Sequence, residues 1–317
     1  MADADPDPSS MEPKMYTPTF RNARRICAVA ALPAITALTV DCRGMTRDET
    51  PGLLGPDAQV PLTAVVHPAD DRDADAPRAC PQGMTEVSGR YCANLRHWCL
   101  EGYPTIGSPR TKYYPGGAVG VEYCEKYVVG KAVCDGPERP LRFCIDTHEE
   151  PGADRLPTVM ISWYDADRLC RAQGKRLCDD DEWTLACEGP DRTPYPYGWE
   201  RDETACNIGK TLPPHRDNAK IYSKDPAVSQ KELDRLDLRV PSGSMPRCVS
   251  AYGVYDMTGN VDEWARNATM HGRSYNSVFK GGHMLGKIRN RCRPATTAHG
   301  PEFAYHVEGF RCCADTK

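Results

Sequence analysis

The chain has 317 residues, 40% of them hydrophobic, which is enough to bury one large core or two small ones. Its 40 basic and 44 acidic side chains are interspersed and leave a formal net charge of −4, which excludes the broad basic face of a nucleic-acid binder. Sixteen cysteines lack the paired C-x-x-C spacing of a zinc ribbon, so they read as disulfides, and disulfides imply an oxidising compartment.

Residues 1–42 read as an export signal. Arg21, Arg24 and Arg25 precede an apolar run from Ile26 to Val40, which is short for a membrane span but suits the h-region of a signal. The polar, proline-rich residues 1–14 make Met15 a second candidate start. Cys42, in "ALTVDC", stands where a bacterial lipoprotein carries its lipidated cysteine, although Asp41 replaces the usual small residue; simple secretion is the alternative. If Cys27 leaves with the signal and Cys42 carries lipid, fourteen cysteines remain, an even number that can close seven bridges. A lipid anchor at Cys42 would be the only membrane contact. Residues 43–79 are rich in Pro, Asp and Ala and read as a disordered tether.

The folded part is expected over 80–317. Its first segment, 80–142, alternates cysteines with Gly, Pro and Tyr, the pattern of a loop-rich, disulfide-stapled region with short strands. Two helices follow. In "SWYDADRLCRAQG" Ser162 caps the first turn with Asp165 three residues on, Trp163, Ala166, Leu169 and Cys170 share a face, and Gly174 ends the helix. In "DDDEWTLACEGP" Asp179 and Glu182 form a similar capping box, and Gly189-Pro190 stops the helix. No long helical pattern is expected after Gly189, only short strands and turns, so the fold class is α+β with much irregular backbone.

From "ISWYDADRLCRAQGKRLCDDDEWTLACEG" through "YPYG", "CNIG", "GVYDMTGNVDEW" and "KGG" to the terminal "EGFRC", the motifs and their order resemble the formylglycine-generating enzyme family, the sulfatase-modifying factor domain. The resemblance spans Phe143 to Asp315. It implies a single α+β domain related to the C-type lectin fold, low in regular secondary structure and stabilised by calcium and disulfides.

Calcium takes six to eight oxygens, from carboxylates and from carbonyls exposed by tight turns, and "GVYDMTGNVDEW" supplies both types. The resemblance assigns Asp256 and Glu263 as side-chain ligands and Gly259 and Val261 as carbonyl ligands. The alternative is a turn whose Tyr255 and Trp264 seal the core. A second calcium site would use the Asn207-Ile208 pair with Glu149 and with Asp237 or Asp234.

The same resemblance pairs Cys170 with Cys312 and Cys187 with Cys292. Cys178 and Cys313 are additions to the family pattern and are expected to pair with each other. Partners for Cys80, Cys92, Cys99, Cys124, Cys134, Cys144, Cys206 and Cys248 stay open.

The family's catalysts oxidise a sulfatase cysteine with oxygen and a copper(I) ion held by two cysteines just after KGG, soft ligands suited to that ion. Here the stretch reads "KGGHMLGKIRNRCRPA", with Gly286 at the first copper position and Cys292 at the structural one. Copper is therefore not expected. His283, His299 and His306 lie near this altered segment and offer a three-histidine metal site; the alternative is ordinary hydrogen-bonded loop histidines. Arg289, Arg291 and Arg293 would share one face of a strand and form an anion-binding wall, or else pair with acids such as Asp262 and Glu302. His283, His299 and Arg291 are the candidate catalytic residues. The expected function is a calcium-stabilised binding or scaffold module for a protein or glycan ligand; the alternative is an oxidoreductase, formylglycine-generating or non-haem-iron-like, using a remodelled site.

Overall fold

Strands β1 (Met84–Cys92) and β5 (Glu138–Asp146) pair antiparallel over their whole length, from Met84 opposite Asp146 to Cys92 opposite Glu138. Val87, Tyr91, Phe143 and Ile145 on these strands are buried, so the pair forms one wall of the core. The computed structural model describes residues 79–103, 111–112, 123–269, 275–286 and 289–317. The chain divides into two units, Met1–Pro68 and Ala69–Lys317, and every described residue lies in the second. The export signal, Cys42 and all of the tether except Ala79 lie outside the described residues.

Three sheets are formed by the described strands. The first has the order β1-β5-β11-β6, with β6 at Arg176–Leu177 and β11 at Cys312–Ala314. The second has the order β10-β7-β8-β9, from β7 (Asp262–Arg266), β8 (Ser277–Lys280), β9 (Ala295–Thr296) and β10 (Glu308–Phe310). The third belongs to the cysteine-rich segment: β2 (Leu95–Tyr103) between β3 (Thr111–Lys112) and β4 (Tyr123–Cys134). The segment before Phe143 is thus divided, since β1 and most of β5 belong to the core sheet while β2, β3 and β4 form a sheet of their own.

Helix α1 (Trp163–Ala172) starts as its sequence implies, with Ser162 Oγ accepting from Asp165 N at 3.2 Å, and Gly174 follows it at φ +70°. Trp163, Ala166 and Cys170 are buried, but Leu169 is 39% exposed and does not join their face. Helix α2 (Asp180–Glu188) carries its capping box, Asp179 N donating to Glu182 Oε2 at 2.9 Å, and is buried on all sides. The expectation of no long helix beyond Gly189 is corrected. Following the short α3 (Asn218–Ile221), α4 (Pro226–Leu236) is eleven residues long, capped by Asp225 with Pro226 at its start.

All fourteen cysteines from Cys80 onward are bonded. Cys170–Cys312 and Cys187–Cys292, the pairs the resemblance implied, both form, and so does the additional Cys178–Cys313 pair. The open partners resolve as Cys80–Cys144, Cys92–Cys134, Cys99–Cys124 and Cys206–Cys248. Two of the seven bridges lie within the first segment and a third, Cys80–Cys144, ties its start to β5.

Candidate functional site

Strand β7 separates two polar clusters because neighbouring residues on a strand point to opposite sides. Glu263 points inward and Asp262 points toward the segment after KGG.

On the inner side, Glu263 is held by three donors: Arg311 Nε at 2.6 Å, Arg311 Nη2 at 2.6 Å and Trp183 Nε1 at 2.8 Å. Arg311 and Glu263 are both fully buried, a bidentate pair inside the core. Asp256 and Glu149 share the field of this guanidinium. Glu149 accepts from Asn260 Nδ2 at 2.7 Å and from Val261 N at 3.3 Å. Burial, with Asp256 and Glu263 nearby, pushes its carboxyl well above the usual range. Asp256 Oδ2 accepts from Gly243 N and Ser242 Oγ, while its buried Oδ1 has no hydrogen-bond partner. Burial raises its carboxyl as well.

These residues bear on calcium directly. Three buried carboxylates share one arginine, a deficit of positive charge that a divalent cation would fill. The two residues that were expected at separate sites, Asp256 and Glu149, meet here. Asn207 joins them, because Asn207 Nδ2 donates to Asn260 Oδ1 at 3.0 Å and Asn260 N donates to Asn207 O at 2.9 Å. Asn207 Oδ1 is a second buried oxygen with no hydrogen-bond partner. The close approach needs Gly259: at φ +85°, a Cβ there would stand 2.5 Å from the Asn207 carbonyl oxygen. Asp256 Oδ1 and Asn207 Oδ1 are hard oxygen donors left without a partner, the type a calcium ion takes, whereas Glu263 is occupied by Arg311. Trp264 seals the turn, stacked 3.6 Å from Phe279, with its Nε1 donating to the Ile161 carbonyl.

The other acids assigned to a second site stand elsewhere. Asp237 is clamped by Arg239 through Nε at 2.7 Å and Nη2 at 2.6 Å, and Asp234 on α4 accepts from Gln230. Among the described residues, no group of three or more His, Cys, Asp or Glu side chains is arranged to hold a metal ion. An ion in the inner cluster would therefore need carbonyl and amide oxygens beside the carboxylates.

On the outer side, Asp262 accepts from Gly282 N at 3.0 Å and pairs with Arg289, which also bonds Thr296. The parallel pairing of β7 with β10 sets Glu308 directly beside Asp262. Glu308 is 6% exposed, its Oε2 has no hydrogen-bond partner, and burial next to Asp262 pushes its carboxyl up to about 8. Gly286 sits in the same bend, where a Cβ would come within 2.7 Å of Asn290 Oδ1 and 3.1 Å of the His283 carbonyl. A cysteine at Gly286, expected from the resemblance at the first copper position, would have to displace Asn290, and Cys292 is bonded to Cys187.

The three histidines are near one another but engaged separately. His283 and His299 both feel Asp262 and Arg289, and burial lowers both. His283 Nδ1 accepts from Leu285 N at 3.2 Å, while His299 stacks on Phe303 at 4.0 Å. Burial lowers His306 to about 4, and its charged neighbours include Arg216, Asp237 and Arg239 rather than Asp262. His283 is a further charged neighbour of His306, and among the described residues the three histidines form no group arranged to hold a metal ion.

The arginine wall is corrected too. Residues 289–293 form no strand, and each arginine turns to a different element. Arg289 takes Asp262, Arg293 takes the buried Glu188 bidentately at 2.7 and 2.8 Å, and Arg291 donates to Tyr127 of β4 at 2.9 Å. Glu188, rather than Glu302, is the acid that sequence reasoning missed. Arg291 and Arg293 line a cavity of about 430 Å³ with Tyr91, His97, Tyr127 and Asp135, between the third sheet and the core.

Comparison with known proteins supports the family resemblance. The family described as "Sulfatase-modifying factor enzyme 1-like domain" matches residues 107–316, so the likeness begins earlier than the motifs alone suggested. The inactive C-alpha-formylglycine-generating enzyme 2 of Mus musculus is 28% identical over 164 residues, covering 50% of this chain and 49% of that protein. The formylglycine-generating enzyme of Thermomonospora curvata is 31% identical over 184 residues, covering 50% of this chain and 55% of its own. The chain thus spans about half the length of the curated relatives it matches. Among solved structures, CarF aligns at 14% identity and a TM-score of 0.45, covering 75% of this chain and 99% of its own. With the profile matched across most of the described residues, the chain belongs to the sulfatase-modifying factor enzyme 1-like domain family.

Proposed function

We propose that this chain is an exported, calcium-stabilised binding module of its family that does not generate formylglycine. The observation that carries the reading is Gly286, which puts no thiol at the position the resemblance assigns to the first copper ligand, and where a side chain would have to displace Asn290. From Cys80 onward no cysteine is left as a thiolate, the ligand type that selects copper(I). A relative whose name calls it inactive supports a non-catalytic role within the family. Seven disulfides and the apolar run at Ile26–Val40 support export, either lipid-anchored at Cys42 or secreted. Among the described residues no helix is long and apolar enough to cross a membrane. In this reading Asp256, Glu149 and the turn carbonyls of Gly259 and Val261 hold the ion as a structural element, and the cleft around Asp262 takes the ligand.

The test supplies the oxidised protein with copper(I), oxygen and a sulfatase-derived cysteine peptide, and reads aldehyde by hydrazide capture and mass spectrometry. Aldehyde is expected to stay at the level of a protein-free control. Repeated turnover of peptide to aldehyde would sink the reading.

A further inference from the structure

Asp262 and Glu308 stand side by side on one face of a parallel strand pair, and a single guanidinium serves both. Arg289 spends its Nη2 on Asp262 and its Nη1 on Thr296. Glu308, 6% exposed, keeps Oε2 without a donor. A buried carboxyl oxygen without a donor is costly, so this position is short of one hydrogen-bond donor, and the two adjacent acids favour one that carries positive charge.

The neighbouring surface suits the same chemistry. His299, which shares Asp262 and Arg289 as charged neighbours with Glu308, lies flat on Phe303 with centroids 4.0 Å apart. The row continues outward through Tyr305, 6.0 Å from Phe303, to Tyr222, 6.1 Å from Tyr305 and 52% exposed. Phe279 supports it edge-on from below. Its outer end already receives a cation, since the Arg216 guanidinium lies 5.6 Å over the Tyr305 ring. His299 and Phe303 are half-buried, His299 with Asp262 as a charged neighbour and Tyr305 and Tyr222 with Glu308 as theirs. A row of aromatic rings beside a buried carboxyl without a partner matches an ammonium group with an aliphatic stem: rings for the stem, and for the head the Glu308 carboxyl, which gives up its proton to solvent as the cation binds.

We propose that the outer side of this strand pair, with Glu308 and Asp262 at its base and the His299, Phe303 and Tyr305 rings beside them, is a subsite for an alkylammonium group, such as an amine or a lysine side chain. This deepens the binding-module reading and rests on it. The local sequence is what creates the subsite: the acid of "EGFRC" and the first acid of "VDEW" come together only through the register of β10 on β7.

The test titrates butylammonium chloride, and butanol as its neutral counterpart, into the calcium-supplied protein by isothermal calorimetry. Saturable binding of butylammonium is expected, with butanol at least tenfold weaker. Glu308→Gln is expected to weaken butylammonium at least tenfold, and Phe303→Leu several-fold, each variant being checked for an unchanged melting temperature. If Glu308→Gln fails to fold, the Phe303→Leu result decides. Equal binding of butanol, no saturable binding of butylammonium, or undiminished binding by the folded variants would overturn the proposal. None of these outcomes touches the aldehyde assay, so the two readings fail separately.

Discussion

Replacing Arg311 by Met is expected to destabilise the domain by about 3–5 kcal/mol, the usual cost of removing one partner from a buried ion pair. The reason lies in what the guanidinium leaves behind. Its Nε and Nη2 fill both oxygens of Glu263, and Nη2 and Nη1 also reach the carbonyls of Tyr255 and Asp146, at 2.8 and 3.2 Å. Without it, Glu263, Glu149 and Asp256 remain in the core as acids with no internal cation, and two carbonyls lose donors. Urea midpoints of the oxidised protein read the effect. The double variant Arg311→Met/Glu263→Leu should recover part of the loss, because removing both charges is far cheaper than stranding one. A single variant within about 1 kcal/mol of the parent, the size of an exposed pair, would show that the cluster is not organised around Arg311.

Calcium is expected to have the second largest effect. A ligand that binds only the folded state at about 100 times its dissociation constant adds roughly 2.7 kcal/mol. For a domain of this size that is a rise of about 5–10 °C in melting temperature, lost on adding a chelator. Asp256→Ala removes the buried oxygen that has no protein donor, so the variant should melt at one temperature with or without calcium. Coincident melting curves for the parent protein with calcium and with chelator would mean that Arg311 alone offsets the acids.

Much of the fold was legible because its signals were local. Ser162 and Asp165, Asp179 and Glu182 lie within one helical turn of each other, and both caps form. Helix α4 was overlooked for the complementary reason: it buries only Glu232 and Leu236, so no apolar stripe marks it, and its sign was the Asp225-Pro226 start. Leu169 had the right spacing for a core face, but α1 covers the core with a narrower stripe. The site was harder to read. Glu149 and Arg311 are far in sequence from the motif that holds Asp256 and Glu263, and local pattern could nominate these residues without assembling them. Glu149, read as part of a second calcium site, shares the Arg311 field with Asp256, and its carboxylate accepts from the Asn260 side chain. The "RNRCR" alternation suggested one charged face, yet the backbone bends there, and each arginine follows its own acid, hydroxyl or aromatic neighbour. Glu308 beside Asp262 depends on strand register, which no local spacing encodes.

Elemental analysis of the oxidised, exported protein purified without chelator tests the binding-module reading most directly, counting calcium, copper, iron and zinc per chain. Stoichiometric calcium with no copper or iron is the expected result. Stoichiometric copper or iron would contradict it and return the cleft at Gly286, with His283 and His299, to the catalysts of the family.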